Sequence, residues 1–122
     1  MDVREIRLQK EYELMQDIHS DVFVWEVVNW PIFDVYLIHY SLNGIIDIKK
    51  GKPIFYSKFD IQIEFLSTYP LDAPQVHCVS EPYPFHPNIS EIDGRVCFTN
   101  MWNPASALNL PDIIEMLSLI HI

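Results

Sequence analysis

The segment between Phe55 and Leu66 restricts the fold of this chain more than any other. Within it, apolar residues alternate with charged or polar ones: Phe59, Ile61, Ile63 and Phe65 against Lys58, Asp60, Gln62 and Glu64. Successive side chains of a β-strand point to opposite faces of a sheet, so the alternation predicts a strand buried on one face and exposed on the other. We therefore expect a sheet with one face in a core.

Three further segments have the composition or the setting of strands: Val22–Val28, Phe33–Tyr40 and Gln75–Val79. The first two are rich in β-branched and aromatic residues, and the third follows a breaker segment, residues 69–74. Turn signals occur at Asn43-Gly44 and at Lys50-Gly51. The simplest connection of four strands in this order is an antiparallel meander.

A first helix is predicted from residue 2 to about residue 18. Leu8, Tyr12 and Met15 recur at helical spacing on one face, and the charged residues, Glu11 among them, lie mostly elsewhere. Asp2 stands three residues before Glu5, which is the spacing of a helix-capping interaction. This segment is therefore expected to be an amphipathic helix.

A second helix is predicted at the end of the sequence. Asn109 has the character of an N-cap, and Pro111 suits a first turn. An apolar stripe follows: Ile113, Ile114, Leu117 and Ile120. The pattern as a whole indicates an α+β fold with an N-terminal helix, a four-stranded antiparallel meander sheet and a C-terminal helix.

The size and charge of the chain exclude several classes of protein. Its 122 residues suit one domain, residues 1–122. Eight Lys and Arg against seventeen Asp and Glu give a net charge of −9, which argues against a groove that follows a nucleic-acid backbone. No stretch is long and apolar enough for a signal peptide or a membrane span. Two cysteines are too few for a disulfide scaffold, so we expect a cytoplasmic protein.

Between residues 80 and 106 the chain shows no periodic pattern. It contains four prolines, at positions 82, 84, 87 and 104, and is predicted to be largely irregular. A long ordered loop in a small domain usually has a function. Cys97 lies in this loop, whereas Cys78 lies inside an apolar strand and is predicted to be an inert core residue.

The order of motifs around this loop resembles that of the ubiquitin-conjugating enzyme family. In chain order the motifs are Tyr69-Pro70, His86-Pro87-Asn88, Cys97 shortly after Gly94, and Trp102-x-Pro104. The resemblance covers most of the chain and implies a shortened form of that family's α+β fold, with a long active-site loop between the sheet and the last helix.

Two spacings depart from the usual family pattern. Nine positions separate Asn88 from Cys97, where eukaryotic members usually have eight, and five separate Cys97 from Trp102, where they usually have eight. The shortened ending and the segment 36–45 look closer to bacterial ubiquitin-conjugating-like proteins, which are encoded with activating-enzyme and deubiquitinase-like partners.

The resemblance implies that Cys97 accepts a ubiquitin-like modifier as a thioester and transfers it to an amine, with no cofactor. A thiol suits this role because a thioester forms by exchange and stays reactive toward amines. Asn88 is implied as the donor that stabilises the oxyanion. His86 is expected mainly to shape the loop, and acid–base catalysis is its less favoured role. Glu91 and Asp93 are near enough in sequence to be candidates for deprotonating the amine.

The resemblance also implies partners. The charged face of the first helix, with Arg4, Arg7 and Lys10, is where the family engages activating enzymes and ligases. We therefore expect a ubiquitin-like modifier, an activating enzyme and a ligase as partners, and neither nucleic acid nor a membrane.

Two other functions stay open from the sequence. A binding module of the same fold would hold a modifier, and its cysteine would be incidental. A cysteine hydrolase would use Cys97, His86 and Asn88, but thiol proteases commonly place the nucleophile at a helix N-terminus, and the next predicted helix begins about twelve residues later. The five histidines are dispersed without ligand spacing, so no metal site is predicted.

Overall fold

The computed structural model describes residues 2–97 and 109–119. Its elements are α1 (Val3–Gln16), β1 (Phe23–Val27), β2 (Val35–Lys49), β3 (Lys52–Glu64), β4 (Gln75–Cys78), β5 (Arg95–Val96) and α2 (Leu110–Leu119). The strands form one sheet in the order β1-β2-β3-β4-β5, and every neighbouring pair is antiparallel. The α+β class and the antiparallel meander are therefore confirmed.

The strand count of the sequence prediction was wrong, because the sheet has five strands. The fifth, β5, lies inside the segment predicted to be irregular, and it pairs with β4 through Val76↔Val96 and His77↔Arg95. A strand of two residues is too short to show an alternating pattern. Only its tertiary neighbours identify it.

The β2–β3 hairpin contains one predicted turn and lacks the other. Lys50 and Gly51 both have positive φ, 52° and 75°, as a two-residue type I′ turn requires. At Asn43-Gly44 no turn forms; β2 continues, and the pairing register shifts between Ser41 and Gly44. In place of the expected turn, the strand contains an irregularity of the β-bulge type. Glycine is common both in turns and in such bulges.

The first helix begins with the predicted cap, because Asp2 Oδ1 accepts a hydrogen bond from the Glu5 main-chain N–H at 2.8 Å. Leu8 and Met15 are buried, as predicted. Glu11, however, was wrongly assigned to the charged outer face: it is only 3% exposed, and its carboxylate accepts a hydrogen bond from the main-chain N–H of Leu110 in α2. A buried charged group of this kind needs such a partner, which sequence spacing does not show.

The core lies between the inner face of the sheet and the two helices. On β3 and just beyond it, the apolar members of the alternating segment, Phe59, Ile61, Ile63 and Phe65, are each at most 1% exposed. From α2, the predicted stripe contributes Ile113, Ile114 and Leu117 to the same cluster, while Ile120 lies outside the described residues. Burial of each such side chain contributes about 1.5–3 kcal/mol to folding.

Two further contacts fix α2. Asn109 Oδ1 accepts from the Asp112 N–H at 3.0 Å, and Asp112 Oδ2 accepts from the Asn109 N–H at 3.1 Å, so the predicted N-cap is a reciprocal capping box. The Tyr40 hydroxyl donates to the Ile114 carbonyl oxygen at 2.8 Å. Across residues 2–97 and 109–119, no helix is long and apolar enough to cross a membrane.

Candidate functional site

The structure brings together two predicted site residues that are nine positions apart in the sequence. Ile89 and Val96 form an antiparallel bridge, which closes residues 90–95 into a turn. Immediately outside this bridge, the main-chain N–H of Cys97 donates to the carbonyl oxygen of Asn88 at 2.7 Å. Both residues are exposed. The short strand β5 therefore has a clear effect on the site, since it holds Cys97 beside Asn88.

Gly94 makes this arrangement possible. Its φ is +73°, and a Cβ atom at this position would lie 2.5 Å from the carbonyl oxygen of Cys78 and 2.9 Å from Cε1 of Tyr83. Its own carbonyl oxygen accepts from the Cys78 N–H at 2.7 Å. Only glycine tolerates both the positive φ and the close approach of β4. The sequence showed that Gly94 lies near Cys97, but it did not show that position 94 must be a glycine. The one hint was that the chain contains only three glycines.

Side chains within the turn complete its hydrogen bonds. Ser90 Oγ accepts from the Ile92 N–H at 3.2 Å, and Asp93 Oδ1 accepts from the Arg95 N–H at 3.1 Å. The Arg95 N–H, followed by the Ser90 side chain, holds the pKa of Asp93 below its ordinary value. Asp93 is thus ionised at neutral pH and already engaged in the turn, and both Asp93 and Glu91 are exposed.

His86 bonds the loop backbone. Its Nδ1 accepts from the Asn88 main-chain N–H at 3.0 Å, and its carbonyl oxygen accepts from the Ile89 N–H at 3.0 Å. Acceptance at Nδ1 assigns the ring proton of the neutral imidazole to Nε2. His86 therefore fixes the backbone of Asn88, the residue before the bridge at Ile89.

The two cysteines occupy opposite environments. Cys78 is 3% exposed in β4, and burial raises the pKa of its thiol to about 12. Cys97 is free and exposed. Because the thiolate is the nucleophilic form, Cys78 is inert at neutral pH and only Cys97 is accessible to a reactant.

The three basic residues predicted on the partner-binding face have different surroundings. Arg4 donates through Nε to the Leu66 carbonyl oxygen and through Nη2 to that of Phe65, both at 2.8 Å. The Arg7 guanidinium carbon lies 5.1 Å from the ring centroid of Tyr69, in cation–π range. Lys10 is exposed. The two arginines thus bind α1 to the segment after β3, a role that the sequence analysis did not include.

Two predicted features of the loop, Trp102 and Pro104, lie outside the described residues. Among the residues that the structure does describe, no group of three or more His, Cys, Asp or Glu side chains is arranged to hold a metal ion.

The fold is an antiparallel meander with one helix before it and one after it in the sequence. At one edge of the sheet, a loop carries an exposed cysteine beside an asparagine. These features together are those expected of the family that the sequence resembles. The profile of the ubiquitin-conjugating enzyme family matches residues 7–121 of this chain. The chain therefore belongs to the ubiquitin-conjugating enzyme family, and the predicted family is confirmed.

Two relatives are similar in sequence. Ubiquitin-conjugating enzyme 15 of Arabidopsis thaliana is 36% identical over 80 residues, which cover 60% of this chain and 48% of the relative. The probable ubiquitin-conjugating enzyme E2 W-A of Danio rerio is 34% identical over 80 residues, covering 60% of this chain and 52% of the relative. The matched region spans about half the length of these two relatives.

Solved structures share the fold. A Plasmodium vivax ubiquitin conjugating enzyme E2 superimposes with a TM-score of 0.69 at 18% identity, covering 95% of this chain and 99% of the other. Ubc12 of S. cerevisiae gives a TM-score of 0.71 at 23% identity, covering 98% of this chain and 62% of the other. At these identities the likeness concerns the fold alone.

Proposed function

We propose that this protein is a ubiquitin-conjugating-like transferase whose Cys97 carries a ubiquitin-like modifier as a thioester. The observation that carries the proposal is the exposed Cys97 thiol on a backbone that is hydrogen-bonded to Asn88 of the His86-Pro87-Asn88 motif. In the first step the Cys97 thiolate attacks the thioester carbonyl at the C-terminus of the modifier. A new C–S bond to Cys97 forms, the C–S bond to the activating enzyme breaks, and the thiolate of the activating enzyme leaves.

In the second step an amine of the acceptor attacks the same carbonyl. The C–N bond forms, the C–S bond breaks, and the Cys97 thiolate leaves as the amine loses a proton to a base. A reactive thioester needs no further activation of its carbonyl, so the protein's contribution is to position the groups and to stabilise charge. Among the exposed acids of the loop, we assign the proton to Glu91 in preference to Asp93, which already bonds the Arg95 N–H.

Asn88 is the residue that we assign to the tetrahedral intermediate. Its main chain is held on both sides, by the Cys97 N–H at its carbonyl oxygen and by His86 Nδ1 at its N–H. The side-chain amide on this fixed backbone can donate to an oxyanion as charge develops. In this proposal His86 acts as a positioning residue.

We assign partner binding to the face of α1 that bears Arg4, Arg7 and Lys10. Lys10 is exposed and available for direct contact. Arg4 and Arg7 already contact the segment after β3, so they shape this surface as well as adding charge to it. The proposed partners are a ubiquitin-like modifier, its activating enzyme and a ligase. A reducing compartment, the cytoplasm, suits an enzyme with a free exposed thiol.

The test is to incubate the protein with ATP and with ubiquitin or another ubiquitin-like modifier, each with its own activating enzyme. We expect an adduct with one modifier that is released by dithiothreitol. Cys78→Ala serves as the matched cysteine control and should still form the adduct, while Cys97→Ala should not. If none of the modifiers forms an adduct but one of them binds non-covalently, the result would instead support the binding module. Hydrolysis of a modifier precursor would support the cysteine hydrolase.

A further inference from the structure

A groove runs between the β2–β3 hairpin and the loop that leads into the His86-Pro87-Asn88 motif. Its volume is about 290 Å³. Ile46 and Asp47 line it from β2, Tyr83 and Phe85 line it from the loop together with two prolines, and Glu91 lines it from the turn before β5. We call this feature the hairpin groove. A hydrogen bond from the Phe85 N–H to the carbonyl oxygen of Ile45, at 2.6 Å, links its two walls.

The lining combines an aromatic wall with two carboxylates. Phe85 is 47% exposed although it is large and apolar. Asp47 and Glu91 are both exposed, and within residues 2–97 and 109–119 neither forms a salt bridge with a lysine or arginine. Flat aromatic surface beside carboxylates is the environment that a guanidinium group prefers, because it stacks on rings and donates in a planar fork. The groove thus fits an arginine side chain.

The groove adjoins the proposed reaction centre. Phe85 and Glu91 are each three residues from Asn88, and three residues of extended chain span at most about 11 Å. An extended acceptor segment has the same reach per residue. A side chain of the acceptor that lies in the groove therefore belongs to a residue within about three positions of the one that approaches Asn88.

We propose that the hairpin groove binds an arginine of the acceptor protein located within about three residues of the lysine that Cys97 modifies. This inference rests on the proposed transferase function and adds to it a preference for one class of acceptor. The aromatic side chains contact the guanidinium plane, Asp47 accepts its hydrogen bonds, and the negative charge of Glu91 adds to the attraction.

The kinetic test uses two synthetic peptides, acetyl-Gly-Gly-Arg-Gly-Gly-Lys-Gly-amide and the same peptide with glutamine in place of arginine. Discharge of the Cys97 thioester to each peptide is measured, with free lysine as a third acceptor. We expect the arginine peptide to react about three- to tenfold faster, the size of one or two partly exposed charge contacts. The double variant Asp47→Asn/Glu91→Gln should lose this advantage. Because Glu91 is also the proposed base, each peptide rate is divided by the rate of the same protein with free lysine, and we expect the two ratios to become equal in the double variant.

Glu115→Gln is the matched control, because Glu115 is an exposed carboxylate of α2 and is not part of the groove. It should retain the preference for the arginine peptide. Equal rates with the two peptides for the unmodified sequence, or a preference that survives the double variant, would overturn the proposal.

A binding measurement separates this inference from the transferase proposal. The arginine peptide is titrated into uncharged, ¹⁵N-labelled protein, and amide shifts are followed by NMR. We expect shifts at Ile46, Phe85 and Glu91 that the glutamine peptide does not produce and that the double variant abolishes. If Cys97 accepts no modifier, the transferase proposal fails, but this titration still tests whether the groove binds arginine. If these shifts are absent, the groove does not bind arginine, whether or not Cys97 accepts a modifier.

Discussion

The buried carboxylate of Glu11 in α1 accepts a hydrogen bond from the main-chain N–H of Leu110, the first residue of α2, 99 positions later in the sequence. This N–H is one of the donors at a helix start that has no partner within its own helix. The negative charge also faces the positive end of the α2 dipole. Burial nevertheless raises the pKa of Glu11, and its effect exceeds that of the opposing Leu110 hydrogen bond. The contact joins the two helices and places a titratable group in the core.

Glu11→Ala should lower the free energy of unfolding by about 1–3 kcal/mol, because it leaves a buried N–H without an acceptor. Glu11→Gln keeps an oxygen at the position and should lose less. Urea unfolding followed by circular dichroism measures both. A loss of stability equal to that of an exposed control, Glu13→Ala, would show that the Leu110 contact is not stabilising.

The same carboxyl group predicts a pH dependence. A raised pKa in the folded state means that the folded protein holds the proton more tightly than the unfolded chain, so the stability contributed by Glu11 falls as pH rises from about 4.5 through the folded pKa. The unmodified protein should therefore lose stability relative to Glu11→Gln as pH rises above about 4.5. Parallel pH curves for the two proteins would contradict the direction of this shift.

Two glycines with similar backbone conformations provide a matched pair. Gly51 has φ +75° with no atom within 4 Å of a Cβ position, and Gly94 has φ +73° with the Cys78 carbonyl oxygen at 2.5 Å. Gly51→Ala should cost about 1–2 kcal/mol, from the left-handed conformation alone. Gly94→Ala should cost a further 1–3 kcal/mol or so, because β4 and Tyr83 must move. Urea unfolding compares them; equal losses would show that the contact at Gly94 relaxes without strain.

Asn88→Ala should separate the two steps of transfer. Loss of an oxyanion donor typically reduces a rate by roughly 10²–10³, so discharge of the Cys97 thioester to lysine should fall by that factor. Loading of Cys97 from the activating enzyme should change far less. Single-turnover assays measure each step, with Asn43→Ala as an exposed asparagine control. Equal damage to both steps would assign Asn88 a purely structural role.

His39 predicts a second pH effect, on the outer face of the sheet. Its Nδ1 lies 2.7 Å from Asp60 Oδ1, and its Nε2 lies 3.4 Å from Glu26 Oε2. The Asp60 hydrogen bond, aided by Glu26, raises the pKa of His39. The resulting stability is fully present below about pH 6.5 and is lost as pH rises through the folded pKa.

His39→Gln should therefore be less stable than the unmodified protein near pH 5.5, with a difference that shrinks by about pH 8.5. Thermal unfolding at the two pH values measures this. His19→Gln, at an exposed histidine of the α1–β1 connection, is the control. If the His19 and His39 variants responded to pH alike, the carboxylates around His39 would not be the cause.

Much of the scaffold was predictable from local pattern. The alternation around Ile61 fixed the buried face of β3, and Asp2 and Asn109 marked both helix starts, because these features depend on neighbouring residues only. What the pattern missed depends on distant contacts. Strand β5 is defined by its pairing with β4, and the burial of Glu11 is compensated by the hydrogen bond that it accepts from the Leu110 N–H.

The candidate site was accessible mainly through the resemblance. No periodicity connects Asn88 with Cys97, and only the Ile89–Val96 bridge brings them side by side. The clash that makes Gly94 necessary and the groove beside Phe85 both involve elements far apart in sequence. Such features follow from tertiary structure, which a single sequence describes only through its family.

The hydrogen bond between Cys97 and Asn88 uses main-chain atoms alone. Neither side chain contributes to it, so this contact does not depend on which side chain stands at either position. In evolutionary terms the chemistry of this site is separable from its architecture. Under the proposed function, one substitution at position 97 would remove the carrier thiol and leave this main-chain contact available to a protein that only holds a modifier.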